Sequence, residues 1–246
     1  MIEPTLRAAR GGGGAEVAQR IIPRVYRGYF EYLYARKQDP WNYETRSYEI
    51  AKYERTLEAL EGRRFARALE VGCSIGVFTE LLATRCEELV AVDTSALAVR
   101  RARRRLAGHP HVRVRRSTLP EEMPGGRFDL VVCSEVLYYW NRELLQEALG
   151  ALEEVLTPGG VLLAVHGRFD SHTCPLTGDE VHDLLHGRDT LRSAFSVREH
   201  KYRLDRFERP LRPPGHTARP AVPRQRTGRE STHPDAGSRT RGNSPA

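Results

Sequence analysis

RALEVGCSIGVFTELLATRCEELVAVD, residues 67–93, sets a glycine turn between an apolar strand and a helix and then ends a second strand on an acid. Ala68, Leu69 and Val71 form a short apolar run suited to a buried strand, whereas Val77, Leu81 and Leu82 recur at helical spacing. Gly72 therefore marks the corner. Without Cβ atoms, Gly72 and Gly76 can take dihedrals closed to other residues and let a ligand lie against the backbone. Asp93 follows Gly72 by about the twenty residues at which doubly wound folds hold a carboxylate against ribose hydroxyls.

Working outward, HVRVRR (111–116), FDLVVCS (128–134) and GVLLAVH (160–166) read as further strands. SALAVRRARRRLAG (95–108) and NRELLQEALGALEEVL (141–156) repeat apolar residues at three and four positions, and Thr157, Pro158, Gly159 and Gly160 are expected to close the second helix. Alternating strands and helices imply an α/β, Rossmann-like, doubly wound and mostly parallel sheet covered on both faces. Ligands gather at the carboxyl ends of such strands, here Gly72, Asp93, Arg116 to Leu119, Ser134 to Tyr139, and His166.

What the loop lacks narrows the ligand. A dinucleotide fingerprint asks for glycine where Ser74 and Val77 stand, which disfavours a pyrophosphate. S-adenosylmethionine carries no phosphate. Its site needs a glycine turn for the amino-acid end, an acid for the ribose and a polar lining near the sulfonium, a set that Glu70, Gly72, Ser74, Gly76 and Asp93 supply. The plainer alternative is that EVGCSIG is only a tight strand-to-helix turn, and the spacing of Asp93 argues against it.

DPWNYETRSYEIAKYERTL (39–57), ALEVGCSIGVFTELLA (68–83), FDLVVCSEVLYY (128–139), LTPGGVLLAVH (156–166) and PLTGDEVHDLL (175–185) occur in this order. On these blocks, which span 39 to about 209 with the segments that follow, the chain resembles the class I S-adenosylmethionine-dependent methyltransferases and, within them, the nodulation protein S family of N-methyltransferases. The first and last blocks are the specific ones. The resemblance implies a seven-stranded sheet with an N-terminal helical lid, and methyl transfer to the free amine of an amino sugar such as a partly deacetylated chitin oligosaccharide. It further implies cofactor contacts at Cys73, Thr94, Leu119, Ser134, Glu135 and Val136. Thr118 stands where many such enzymes carry an acid for adenine, so a hydroxyl or backbone groups must serve there. AFSVREHKYRLDRFERP (194–210) should supply the last, antiparallel strands with little room for a turn, so a shortened or irregular edge is expected.

Before the first strand, Pro40, Trp41, Tyr43, Arg46, Tyr48, Glu49 and Tyr53 put aromatics and charge on a turn and helix. Periodicity alone suits an ordinary amphipathic helix on the sheet; the resemblance suits a lid in which Trp41 and Arg46 reach the cofactor, Arg46 pairing with its carboxylate. His166 and Glu135 are candidates to accept the amine proton, or else to orient substrate hydroxyls or satisfy backbone groups. Tyr138, Tyr139 and Trp140 could stack on pyranose rings, with Asp179, Glu180 and His182 as polar contacts. In the alternative role, Thr177 caps the following helix and Asp179 and Glu180 favour its dipole.

Length suits one domain of residues 25–209, a flexible extension at 1–24 and a disordered basic tail at 210–246. That tail holds seven Arg against Glu230 and Asp235, a net +5 of the chain's +7, with seven Pro and no aromatic residue to stack on bases. Nucleic acid is therefore disfavoured as a partner. Cys73, Cys86, Cys133 and Cys174 lack C-x-x-C spacing, which supports neither zinc nor a redox motif. With no apolar run of transmembrane length and no secretion signal at MIEPTLRAARGGGG, a cytoplasmic enzyme without membrane attachment is expected. Rival readings are methyl transfer to another small-molecule amine or hydroxyl, or a non-catalytic cofactor-binding or RNA-associated protein.

Overall fold

A computed structural model describes residues 15–169 and 173–211. The chain divides into two units, Met1–Pro214 and Gly215–Ala246. The tail expected at 210–246 lies outside the described residues apart from its first two positions, as does the extension at 1–14.

Helix α1 (Ala15–Arg36) and helix α2 (Ser47–Glu58) precede the sheet. Then follow β1 (Phe65–Val71), α3 (Val77–Ala83), β2 (Cys86–Asp93), α4 (Ala96–Arg105), β3 (Val112–Arg116), β4 (Phe128–Ser134), α5 (Arg142–Val155), β5 (Leu156–Gly167), α6 (Gly178–His186), β6 (Arg192–Arg198) and β7 (Tyr202–Glu208). The sheet runs β3-β2-β1-β4-β5-β7-β6, parallel from β3 to β5 and antiparallel at both β7 pairings. The strand order reverses between β1 and β4, so their carboxyl ends open a crevice there.

Hydrophobicity dictates this arrangement. On β4, Val131 and Cys133 enter the core on one face while Leu130 and Val132 enter that on the other, and β5 divides Leu162 and Ala164 from Val161, Leu163 and Val165 in the same way. Strands covered on both faces read as unbroken apolar runs, and each such side chain withdrawn from water contributes about 1.5–3 kcal/mol.

Three expectations need correction. Thr157 to Gly160 do not close α5 but begin β5, whose pairing with β4 shifts register between Phe128 and Leu130. Gly159, at φ +77°, there donates its N–H to the Arg209 carbonyl, so these residues tie the strand to the end of β7. The last two strands are not shortened: β6 and β7 have seven residues each across a turn at 199–201, and the expected irregularity is a register shift between Ser193 and Phe195. Residues 15–24, read as part of a flexible extension, lie in α1.

Candidate functional site

The turn after β1 is tied to the end of β2 by Asp93. Its Oδ2 accepts the Ser74 N–H (2.9 Å) and its Oδ1 the Ser95 N–H (2.8 Å). Burial nonetheless pushes the Asp93 carboxyl up to about 6, against those two donors. Glu70, at the carboxyl end of β1, is 3% exposed; burial lifts its carboxyl to about 7, and its Oε2 has no hydrogen-bond partner among the described residues. Both acids line one cavity with Gly72, Cys73, Ser74, Thr94, Thr118, Leu119, Ser134, Glu135 and Val136. Thr94 and Thr118 meet through their hydroxyls at 2.9 Å, so the position expected to face adenine offers a hydroxyl.

The two glycines have packing roles. A Cβ on Gly72, at φ +79°, would stand 3.1 Å from the Val136 side chain inside the cavity, whereas one on Gly76, at φ +84°, would stand 3.1 Å from the Cβ of Ala102 on α4. Gly76 does not line the cavity. Its lack of a Cβ allows close approach of α3 and α4.

The cover comes from α1 as well as from the lid segment expected at residues 40–53. Tyr26, Phe30 and Tyr34, spaced four apart, line the cavity beside Trp41, Tyr43 and Tyr53. Tyr34 shares a hydrogen bond with Ser74 (hydroxyl to hydroxyl, 2.5 Å), and Glu31 accepts from the Ser95 hydroxyl at 2.6 Å. Arg101 of α4 donates to the Tyr34, Lys37 and Gln38 carbonyls at the end of α1. These bonds fasten α1 across the loops after β1 and β2. An aromatic repeat at every fourth residue is a helical signal, and it was legible in the sequence.

A second cavity of about 540 Å³ adjoins the first, sharing Trp41, Tyr43, Glu135 and Tyr139 and adding Arg46, Tyr48, Glu49, Lys52, Tyr138, Arg168 and Lys201. Such a volume suits a small molecule. Between the cavities stands Glu135, at φ +54°, whose Oε1 accepts from Lys52 Nζ (2.6 Å) and whose Oε2 accepts from the Tyr138 hydroxyl (2.6 Å) and the Gly167 N–H (2.9 Å). Lys52 Nζ also lies 2.7 Å from Glu49 Oε2. Burial would lower the Lys52 ammonium, but the Glu135 and Glu49 carboxylates outweigh it and hold it above its ordinary value. Sequence reasoning missed Lys52, because a buried lysine leaves no apolar periodicity.

Five expected assignments change. His166 is fully buried and lines neither cavity. Its Nε2 accepts the Leu137 N–H (3.2 Å), which leaves the ring proton on Nδ1 to donate to His182 Nε2 (3.1 Å), and His182 Nδ1 donates to Asp205 Oδ2 (2.7 Å). Both nitrogens of His166 are thus engaged within the protein, and His182, equally buried, lines neither cavity. Glu180 completes a capping box with Thr177, and Asp179 is held by Arg168 and Arg198, so these acids serve α6 and the strand edge. Arg46 lines the second cavity rather than the first.

Residues 33–175 match the family model described as nodulation protein S. The block at 175–185 thus lies almost entirely beyond that match. Nodulation protein S of Rhizobium tropici is 36% identical over 127 residues, 51% of this chain and 53% of that protein. The chain spans between about half and three fifths of the length of curated relatives that it matches. Among solved structures, a methyltransferase-assigned protein of Pseudomonas syringae is similar at 40% identity (TM-score 0.60), covering 67% of this chain and 100% of that one. The N-methyltransferase NodS of Bradyrhizobium japonicum WM9, in complex with S-adenosyl-L-homocysteine, is similar at 26% identity (TM-score 0.67), covering 74% of this chain and 97% of that one.

Proposed function

The chain belongs to the nodulation protein S family, and from that premise we propose that it is an S-adenosylmethionine-dependent methyltransferase acting on the free amine of an amino sugar or chitooligosaccharide-like acceptor. One observation carries the reading: the cavity built on Gly72, Glu70 and Asp93 shares a wall with a larger, aromatic-sided one.

The first cavity fits the cofactor. Glu70 keeps a buried carboxylate oxygen without a partner, a fitting place for the cationic amino-acid end, while Asp93 and the hydroxyls of Thr94 and Thr118 would face the nucleoside. Bound there, the cofactor supplies a methyl group made electrophilic by its sulfonium. Trp41, Tyr43 and Tyr139, common to both cavities, hold the acceptor against that methyl and exclude water. Glu135 is committed to Lys52, Tyr138 and Gly167 and acts by positioning this wall. The aromatic sides favour an amine that arrives neutral, so no strong base is required. No helix among the described residues is long and apolar enough to cross a membrane.

Mass spectrometry tests the reading. The chain, the methyl donor and a panel of mono- and oligosaccharide amines should yield amines heavier by one or more methyl groups, with hydroxylated controls unchanged. Methylation of the hydroxylated compounds alone would overturn it.

A further inference from the structure

The larger cavity holds charge that a neutral sugar amine leaves unused. Three cations converge on the ring of Tyr48: the Arg46 guanidinium at 5.5 Å, Lys52 Nζ at 5.2 Å and Lys201 Nζ at 5.4 Å from its centroid. Lys52 is held by two carboxylates, Glu49 and Glu135, and Arg168, on the same wall, by Asp179, so that with Arg46 and Lys201 four cations stand against three acids and leave a net +1. Arg46 and Lys201, both exposed, make no ion pair among the described residues. They come from separate elements, Arg46 at the N-cap of α2 and Lys201 in the turn between β6 and β7, and all four cations line the cavity. Tyr48 joins the two elements, its hydroxyl donating to the Lys201 carbonyl at 3.5 Å.

A single exposed cation over a ring is an ordinary surface contact. Two cations from different elements, brought to one ring at the side of a cavity with no ion-pair partner among the described residues, repel one another. Their repulsion is relieved by an anion, for which a guanidinium and an ammonium are the natural donors. We infer that the methyl acceptor of this chain carries an anionic group, a phosphate or a carboxylate, held by Arg46 and Lys201 beside Tyr48. This rests on the methyl-transfer reading and narrows its substrate class to amines that also bear an anion.

Calorimetry separates the two claims. Inorganic phosphate and, in a second arm, acetate are titrated into the full chain, into Arg46→Gln/Lys201→Gln, and into Arg100→Gln/Arg104→Gln. The last pair removes the same charge from exposed positions on α4. One anion should bind with one-to-one stoichiometry, at least tenfold more weakly to the Arg46/Lys201 variant and unchanged in the α4 control; which anion binds identifies the group. Hexosamine 6-phosphate should then be methylated with at least tenfold higher kcat/KM than hexosamine, a preference lost in the Arg46/Lys201 variant. Absence of binding by both anions, or equal weakening in both variants, would overturn the anion site. A missing heat for S-adenosylhomocysteine would instead sink the methyl-transfer reading while leaving the anion result standing.

Discussion

His166 Nδ1 lies 3.1 Å from His182 Nε2, and the pair forms the middle of a buried chain from the Leu137 N–H to the Asp205 carboxylate. Through it, β5, α6 and β7 fix the loop that carries Glu135 and Tyr138.

Replacing His182 with Ala strands the His166 N–H and removes a donor from Asp205. Leaving buried polar groups unmatched and opening a cavity should lower stability by about 2–4 kcal/mol in urea titrations. Where the variant is folded, its affinity for S-adenosylhomocysteine should stay within about threefold, since neither ring reaches the cofactor cavity. Full stability with abolished transfer would return this pair to a chemical role.

Acid should act on the same chain. Burial holds His166 well below its usual value of 6.5 and lowers His182, so the folded chain takes up their protons less readily than an unfolded chain, which does so below 6.5. Stability from these groups is complete above 6.5 and falls with pH below it, by up to about 1.4 kcal/mol per unit for each ring. Glu70 and Asp93, raised to about 7 and 6, contribute with the opposite sign: their stability is complete below the ordinary carboxylate range and is lost as pH rises through those values. The histidine contribution is therefore read as a difference. Between pH 5 and 6.5, His182→Gln should show a smaller drop in unfolding free energy than the parent chain.

Lys52 holds Glu49 and Glu135 together in a nearly buried cluster. Lys52→Met leaves two carboxylates facing one another without a cation and should cost about 3–5 kcal/mol. Adding Glu135→Gln should recover part of that loss, so the double-mutant cycle should show coupling, whereas additive losses would mean the ion pair contributes nothing specific.

The parallel sheet was legible because its strands are buried on both faces and therefore appear as apolar runs, as at Leu130 to Cys133. The acid at Asp93 was legible from its spacing alone. Partners across the fold were not: nothing near His166 in the sequence marks His182, which reaches it from α6, or Asp205, which the pairing of β5 with β7 brings within reach of His182. The Thr157–Gly160 stretch misled for a local reason, since a Pro-Gly-Gly run that stops a helix serves equally to bend a strand onto the Arg209 carbonyl.

Gly72 and Gly76 both have positive φ, and alanine should damage them differently. At Gly76 the new methyl presses on Ala102, so stability should fall by about 1–3 kcal/mol with cofactor affinity little changed. At Gly72 it presses on Val136, which lines the cofactor cavity, so affinity should fall at least tenfold. Calorimetry beside thermal melts distinguishes the pair, and equal losses of affinity would refute the packing role of Gly76.

Cofactor binding should depend on pH through Glu70. Burial raises its carboxyl to about 7, with the Asp93 carboxylate adding to the rise, so much of it is protonated in the free chain at neutral pH. A ligand ammonium placed beside it favours the ionised form and must displace that proton. Affinity for S-adenosylhomocysteine should therefore rise about tenfold between pH 6 and 8, the span over which a group of this pKa goes from mostly protonated to mostly ionised. Asp93, raised to about 6, adds to the same trend at the lower end. Binding heats at pH 6.5 should vary with the ionisation enthalpy of the buffer, reporting proton release. In Glu70→Gln the release should diminish and the affinity should flatten with pH at a lower value. A parent chain whose affinity is level from pH 6 to 8 would place the ligand's cation somewhere other than Glu70.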